Sequence, residues 1–201
     1  MAFVGFAVPP QTSLILSEVD FGDFGEREPP GKYHVTVLYL GDAIPIQQIA
    51  RLIPVLLNVV SRTNPFSLSV NRVTTFPPGD DGVPIICPVV SNDLHTFRAS
   101  LVKAVEEAGI PFPNTYPTFR PHVTIGYGSD PLVYSDNAVD VQFPEVEWGA
   151  HELILWGGDS GNDRVVVTFP LSLKTDHATT HRAFVQLAKN WKFLGKPIEN
   201  S

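Results

Sequence analysis

The sequence predicts a duplicated, two-lobed α+β protein built mostly on antiparallel sheet with helices outside. Three observations carry that reading. Short apolar runs rich in β-branched residues recur along the chain, divided by 19 prolines and 15 glycines, which argues against a helical bundle. Helical periodicity is confined to a few segments, each followed by strand-like sequence. A His-Val-Thr triplet also occurs twice, at residues 34–36 and 122–124, each time opening a β-branched run after a proline-rich loop. The two histidines stand 88 positions apart (122 − 34), about half of a core that ends near residue 171.

The elements follow in order. Phe3 to Val8 reads as a buried strand stopped by Pro9 and Pro10. Residues 20–32 form a glycine- and proline-rich loop that leads into the first triplet. Ile46, Ile49, Ile53, Leu57 and Val60 recur at helical spacing, and Pro54 among them predicts a kink or a broken turn. Residues 66–76 alternate as a half-buried strand, and residues 83–90 look like its neighbour, with two prolines that suit a sheet edge. The spacing of Leu94, Phe97, Leu101 and Val105 predicts a helix capped by Asn92 or Asp93 and closed by Gly109. A loop over 111–121 delivers the second triplet. Residues 146–156 and 163–171 read as a closing hairpin. The chain then turns polar, so the expected division is a domain over 1–171 and a helical tail over 172–201 that docks on the core, covers a cleft or joins two subunits.

Composition narrows the partners. The formal net charge is −7, and no basic face for long DNA or RNA is evident, so any phosphate bound belongs to a small molecule. Cys87 is the one cysteine, which excludes an internal disulfide or a cysteine zinc cage and suits the cytoplasm. No stretch approaches the length of an apolar membrane span, and the N-terminus lacks the basic start of a signal peptide.

In a strand, residues i and i+2 share a face. His34 therefore points with Thr36, and His122 with Thr124, while Val35, Val37 and Tyr39 turn away, as do Val123, Ile125 and Tyr127. Two imidazoles and two hydroxyls around one point are the parts that phosphodiester cleavage needs. One imidazole takes a proton, the other gives one, and neutral donors hold the phosphoryl oxygens, with no metal required. A single His-x-Thr is usually structural. Two copies, each with an apolar opposite face and a preceding loop, point to a site.

At these residues, "HVTVLYLG" and "FRPHVTIGYG", the sequence resembles the two-histidine (2H) phosphoesterases, which include 2′-5′ RNA ligase-like proteins and cyclic nucleotide phosphodiesterases. The resemblance covers about residues 2–171 and leaves out the tail. It implies a bilobal fold with a central cleft, His34 and His122 as the acid–base pair, Thr36 and Thr124 as phosphate holders, and no cofactor. It leaves open which histidine is the acid. Arg120 and Lys32, each two positions before a histidine, are candidate phosphate contacts. Tyr33, Tyr116, Phe119, Phe21 and Phe24 are candidates to stack on a base, whereas Trp148 and Trp156 read as core. His177 and His181, an i, i+4 pair, lack a third ligand in sequence, so no metal site is expected.

The expected activity is metal-independent cleavage of a small RNA-derived or cyclic nucleotide. Some phage-borne members of the family destroy the signalling nucleotides of host defence. Processing of RNA ends is the second enzymatic option, and a nucleotide-binding protein without turnover is the non-enzymatic one.

Overall fold

The computed structural model describes residues 1–42, 44–79, 82–113, 118–128, 139–158, 163–172 and 176–194. Among these, the strands are β1 (Ala2–Ala7), β2 (Gly25–Arg27), β3 (His34–Gly41), β4 (Phe66–Thr75), β5 (Val83–Pro88), β6 (His122–Gly128), β7 (Val141–Ala150), β8 (Glu152–Gly157) and β9 (Arg164–Pro170). The helices are α1 (Pro10–Ser17), α2 (Ile46–Ser61), α3 (Asn92–Glu107) and α4 (His177–Asn190). The strands form one antiparallel sheet in the order β7-β4-β5-β6-β3-β1-β8-β9, with β2 added on β6. The fold is α+β, as expected from the sequence.

The sheet order shows the duplication. From the β3/β6 seam, β3-β1-β8-β9 runs one way and β6-β5-β4-β7 runs the other. The two histidine strands are thus direct neighbours at the centre of a single sheet. They share one described pair, Val35 with Val123, and then part; β2 fills the wedge by pairing Gly25, Glu26 and Arg27 with Gly128, Tyr127 and Gly126. Around the seam the halves match in detail. Ala7 lies opposite His34 and Pro88 opposite His122, and the next amides, of Val8 and Val89, donate to the Tyr33 and Pro121 carbonyls at 3.0 and 2.9 Å.

All four helices contribute to one core. The apolar stripe of α2 buries Ile49, Leu52, Ile53, Leu56, Leu57 and Val60 completely or nearly so, each contributing about 1.5–3 kcal/mol of transfer free energy. Helix α2 is continuous through Pro54, so the expected broken turn does not occur. Pro54 itself lies on the exposed side of the helix, away from the apolar stripe. Helix α3 is capped by Ser91, whose Oγ accepts from the Leu94 amide at 3.3 Å, one position earlier than expected; Gly109 follows it with φ +63°.

Other expectations need correction. Strand β5 is interior, between β4 and β6, although it carries Pro84 and Pro88. Its β4 ladder spans only Ile85 and Ile86, so neither proline has to donate to it. Residues 152–157 and 164–170 form the expected hairpin, β8 with β9, but His151 separates them from residues 146–150, which belong to β7 in the other half of the sheet. The short helix α1, which buries Thr12, Ser13 and Leu16, has no periodic apolar pattern to announce it. Helix α4 docks on β9 and α2, with Ala183 and Leu187 in the core. Gln186 accepts from the Thr168 amide at 3.2 Å and Asn190 donates to the Val166 carbonyl at 3.1 Å, so polar side chains cover the outer edge of β9. Among the described residues no helix is long and apolar enough to cross a membrane.

Candidate active site

His34 and His122 begin β3 and β6, and each is held in the same way. The Nδ1 of His34 lies 2.7 Å from the Lys32 carbonyl, and the Nδ1 of His122 lies 2.7 Å from the Arg120 carbonyl. A carbonyl can only accept, so each Nδ1 carries a hydrogen and donates it. In the neutral ring this leaves Nε2 as a proton acceptor, and in the charged ring as a donor. Both motifs thus present the same nitrogen for proton transfer. Thr36 and Thr124 follow on the same face, half-buried like the histidines.

The strands then depart from simple alternation at matching places. Opposite Val4 and Gly5 of β1 stand Leu38 and Thr36, so Val37 is an extra residue; opposite Ile85 and Ile86 of β5 stand Gly126 and Thr124, so Ile125 is extra. Each is a β-bulge three positions after its histidine, and each reverses the facing of the residues beyond it. Tyr39 and Tyr127 therefore turn onto the histidine face rather than away from it, and Leu38 and Gly126 take the core side. The surroundings of Tyr39 confirm the flip, since it packs on the Phe3, Ile154 and Trp156 cluster beside His34.

Aromatic rings clamp the two imidazoles differently. Phe3 stacks on His34 at a centroid distance of 4.7 Å, and Trp156 lies 5.6 Å from the same ring. His122 instead meets the edge of half-buried Phe76 at 4.6 Å. Trp156 thus belongs to the histidine face and not to the main core, whereas Trp148 is in that core as expected.

Burial pushes both histidine pKa values below the ordinary 6.5, and the neighbours differ. For His34 the Lys32 carbonyl, Asp163 and Glu28 act against burial by favouring the charged ring. For His122 only the Arg120 carbonyl does so, while the charge of His34 adds to the effect of burial. Asp163, just before β9, is itself pushed up by burial, and its Oδ1 has no hydrogen-bond partner among the described residues. Cys87, opposite Val123 on the core side, has its thiol pushed up to about 12 by burial and is not an available nucleophile.

Several sequence candidates fall elsewhere. Lys32 ends a 3-10 turn and Arg120 lies before β6, so neither shares its histidine's face through strand alternation. Each gives the site its backbone carbonyl, and the Lys32 ammonium pairs with Glu28 at 2.8 Å. Tyr33 is 3% exposed and part of the core, which rules it out as a stacking platform. Phe21 is buried with the Arg27 guanidinium over its ring, and Phe24 packs on the core over Gly128. The Phe119 ring contacts the Arg98 guanidinium and the His95 ring. Tyr116 lies outside the described residues. His177 and His181 stack at 6.5 Å on α4, and no group of three or more His, Cys, Asp or Glu side chains among the described residues is placed to hold a metal.

Comparison with known proteins identifies the family and the fold. The sequence profile of the 2′-5′ RNA ligase superfamily matches residues 21–162, which include both histidine strands. The chain belongs to the 2′-5′ RNA ligase superfamily. This superfamily is that of the 2H phosphoesterases, so the chain is a phosphoesterase-type enzyme. Solved structures share the fold of this superfamily member. TT0787 of Thermus thermophilus matches at 19% identity and a TM-score of 0.68, over 87% of this chain and 99% of that one. Escherichia coli LigT complexed with 3′-AMP matches at 14% identity and a TM-score of 0.60, over 86% and 98%. A structure described as a phosphoesterase matches at 17% identity and a TM-score of 0.59, over 86% and 98%. No curated protein matches.

Proposed function

We propose that this protein is a metal-independent phosphodiesterase acting on a small RNA-derived or cyclic nucleotide, with His34 as general acid and His122 as general base. The paired histidines, each fixed with Nδ1 protonated and Nε2 available, carry this reading. Neutral His122 Nε2 takes a proton from water as the water oxygen bonds to phosphorus. The bond from phosphorus to the leaving oxygen breaks, and His34 Nε2 gives that oxygen its proton. Thr36 and Thr124 donate to the non-bridging oxygens. The order of roles follows from charge: Asp163 and Glu28 favour the protonated ring at His34, whereas a charged His34 disfavours it at His122. Binding of 3′-AMP by LigT, of similar fold, supports a nucleotide substrate, and the net charge of −7 favours a small one.

A panel of 2′,3′-cyclic mononucleotides, 2′-5′-linked oligoadenylates, cyclic dinucleotides and tailed RNA, with product masses as readout and EDTA present, tests the proposal. Turnover of a small member in EDTA is expected. Tight binding with every ligand recovered intact would contradict it.

The acid–base order has its own test. In kcat/KM against pH, the basic limb reports deprotonation of the acid and lies below 6.5, because burial lowers the His34 pKa. Asp163→Asn removes a charge that favours protonated His34 and moves this limb to still lower pH, with the acidic limb less affected. A limb that moves upward, or one that stays while the acidic limb shifts, would reverse the assignment.

A further inference from the structure

The carbonyl of each bulge residue is held by a group from the other half of the chain. The Ile125 carbonyl of β6 accepts from the backbone amide of Glu28 at 2.9 Å, in the loop before the first motif. The Val37 carbonyl of β3 accepts from Nε of Arg98 at 3.2 Å, on the helix before the second motif. A backbone donor serves one bulge and a side chain the other, so only the Val37 brace depends on residue type.

Arg98 has a second contact. Its guanidinium carbon lies 4.6 Å from the centroid of the Phe119 ring, which also meets the His95 ring edge-on at 5.3 Å. Phe119 directly precedes Arg120, whose carbonyl fixes the tautomer of His122. Val37 directly follows Thr36 and marks the bulge that sets the face of Tyr39. One half-buried side chain therefore touches the support of both half-sites.

We propose that Arg98 is a positioning residue that holds the two histidine strands in a single working geometry, through the Val37 carbonyl on one side and the Phe119 ring on the other. The inference rests on the reading of the His34/His122 site given above. A planar guanidinium donates in its own plane and stacks by its face, so it meets both demands at once. A lysine ammonium meets only the first.

The test compares Arg98→Met, Arg98→Lys and Phe119→Leu with wild type on the nucleotide that wild type cleaves best. Arg98→Met is expected to lower kcat about 10–100-fold while KM changes far less, because loss of alignment affects the transition state more than binding. Arg98→Lys recovers part of that loss, and Phe119→Leu reproduces part of it. Long-range 1H–15N NMR supplies a readout that mere destabilisation does not move. Wild type shows a single Nδ1–H tautomer at both histidines, and in Arg98→Met the His122 ring shows a mixture. Wild-type kcat and unchanged tautomers in Arg98→Met would overturn the proposal, as would a loss of activity that equals the loss of folded protein. If Arg98→Met does not fold, the lysine and leucine variants decide by the same two readouts. If wild type cleaves no nucleotide, the reading of the site fails, and the tautomer comparison still judges Arg98.

Discussion

Alanine at His34 or at His122 is expected to lower kcat by about 10²–10⁴-fold, the usual contribution of a positioned acid or base. The two losses will not multiply in the double variant, because either half alone leaves proton transfer incomplete. Alanine also opens space beside Phe3 and Trp156 at His34, or beside Phe76 at His122, so stability must be measured alongside activity. His34→Asn and His122→Asn are the sharper variants. An asparagine amide can still donate to the Lys32 or Arg120 carbonyl, but nothing replaces Nε2. These variants are expected to melt near wild type and to turn over as slowly as the alanines. Wild-type kcat in any of them would remove the two-histidine mechanism.

Gly5→Ala is expected to cost more than about 3 kcal/mol, at the severe end for a single methyl, and to lower the melting temperature by roughly 10 °C. Gly5 sits inside β1, opposite Thr36 of β3 and Ile154 of β8, at the step where the Val37 bulge begins. A Cβ there would run into the Val35 carbonyl oxygen and lie 3.0 Å from its carbon. Backbone cannot rotate aside as a flexible side chain can, so β1 must move off β3. That movement also displaces Thr36 and loosens Phe3 on His34, and activity per folded molecule falls with stability. Gly31→Ala is the control, since a Cβ there meets nothing within 4 Å. Equal melting temperatures for the two variants, measured by calorimetry, would show that the bulge does not require a bare backbone at residue 5.

The face that carries both histidines is legible in the sequence because alternation holds over the motif itself. His34 and Thr36, and His122 and Thr124, do share a face, and the valines between them are buried. Alternation fails one residue later, and the sequence carries a sign of this. Val37-Leu38 and Ile125-Gly126 place two core-side residues next to each other, which a regular half-buried strand does not do. Read as bulges, they place Tyr39 and Tyr127 correctly. Lys32 and Arg120 escape the same logic for a related reason: both precede their strands, so alternation does not reach them, and they serve through carbonyls that any residue type supplies.

The rest depends on contacts between distant segments. Phe3, Trp156, Phe76, Asp163 and Arg98 come from different elements and meet the site only once the sheet is assembled. No local pattern singles them out. The interior placement of β5 is hidden by its prolines, which normally mark an edge, because a ladder as short as that to β4 leaves them unchallenged. The docking of α4 follows from its amphipathic stripe, but the partner it covers, β9, does not.

Cleavage of the best small nucleotide substrate in 18O-enriched water with excess EDTA, run in parallel for wild type, His34→Asn and His122→Asn, tests the two-histidine account most directly. The account predicts one 18O atom in the phosphate group of the wild-type product and loss of turnover in both variants. Turnover abolished by EDTA and restored by added metal, or persisting in either asparagine variant, would contradict it.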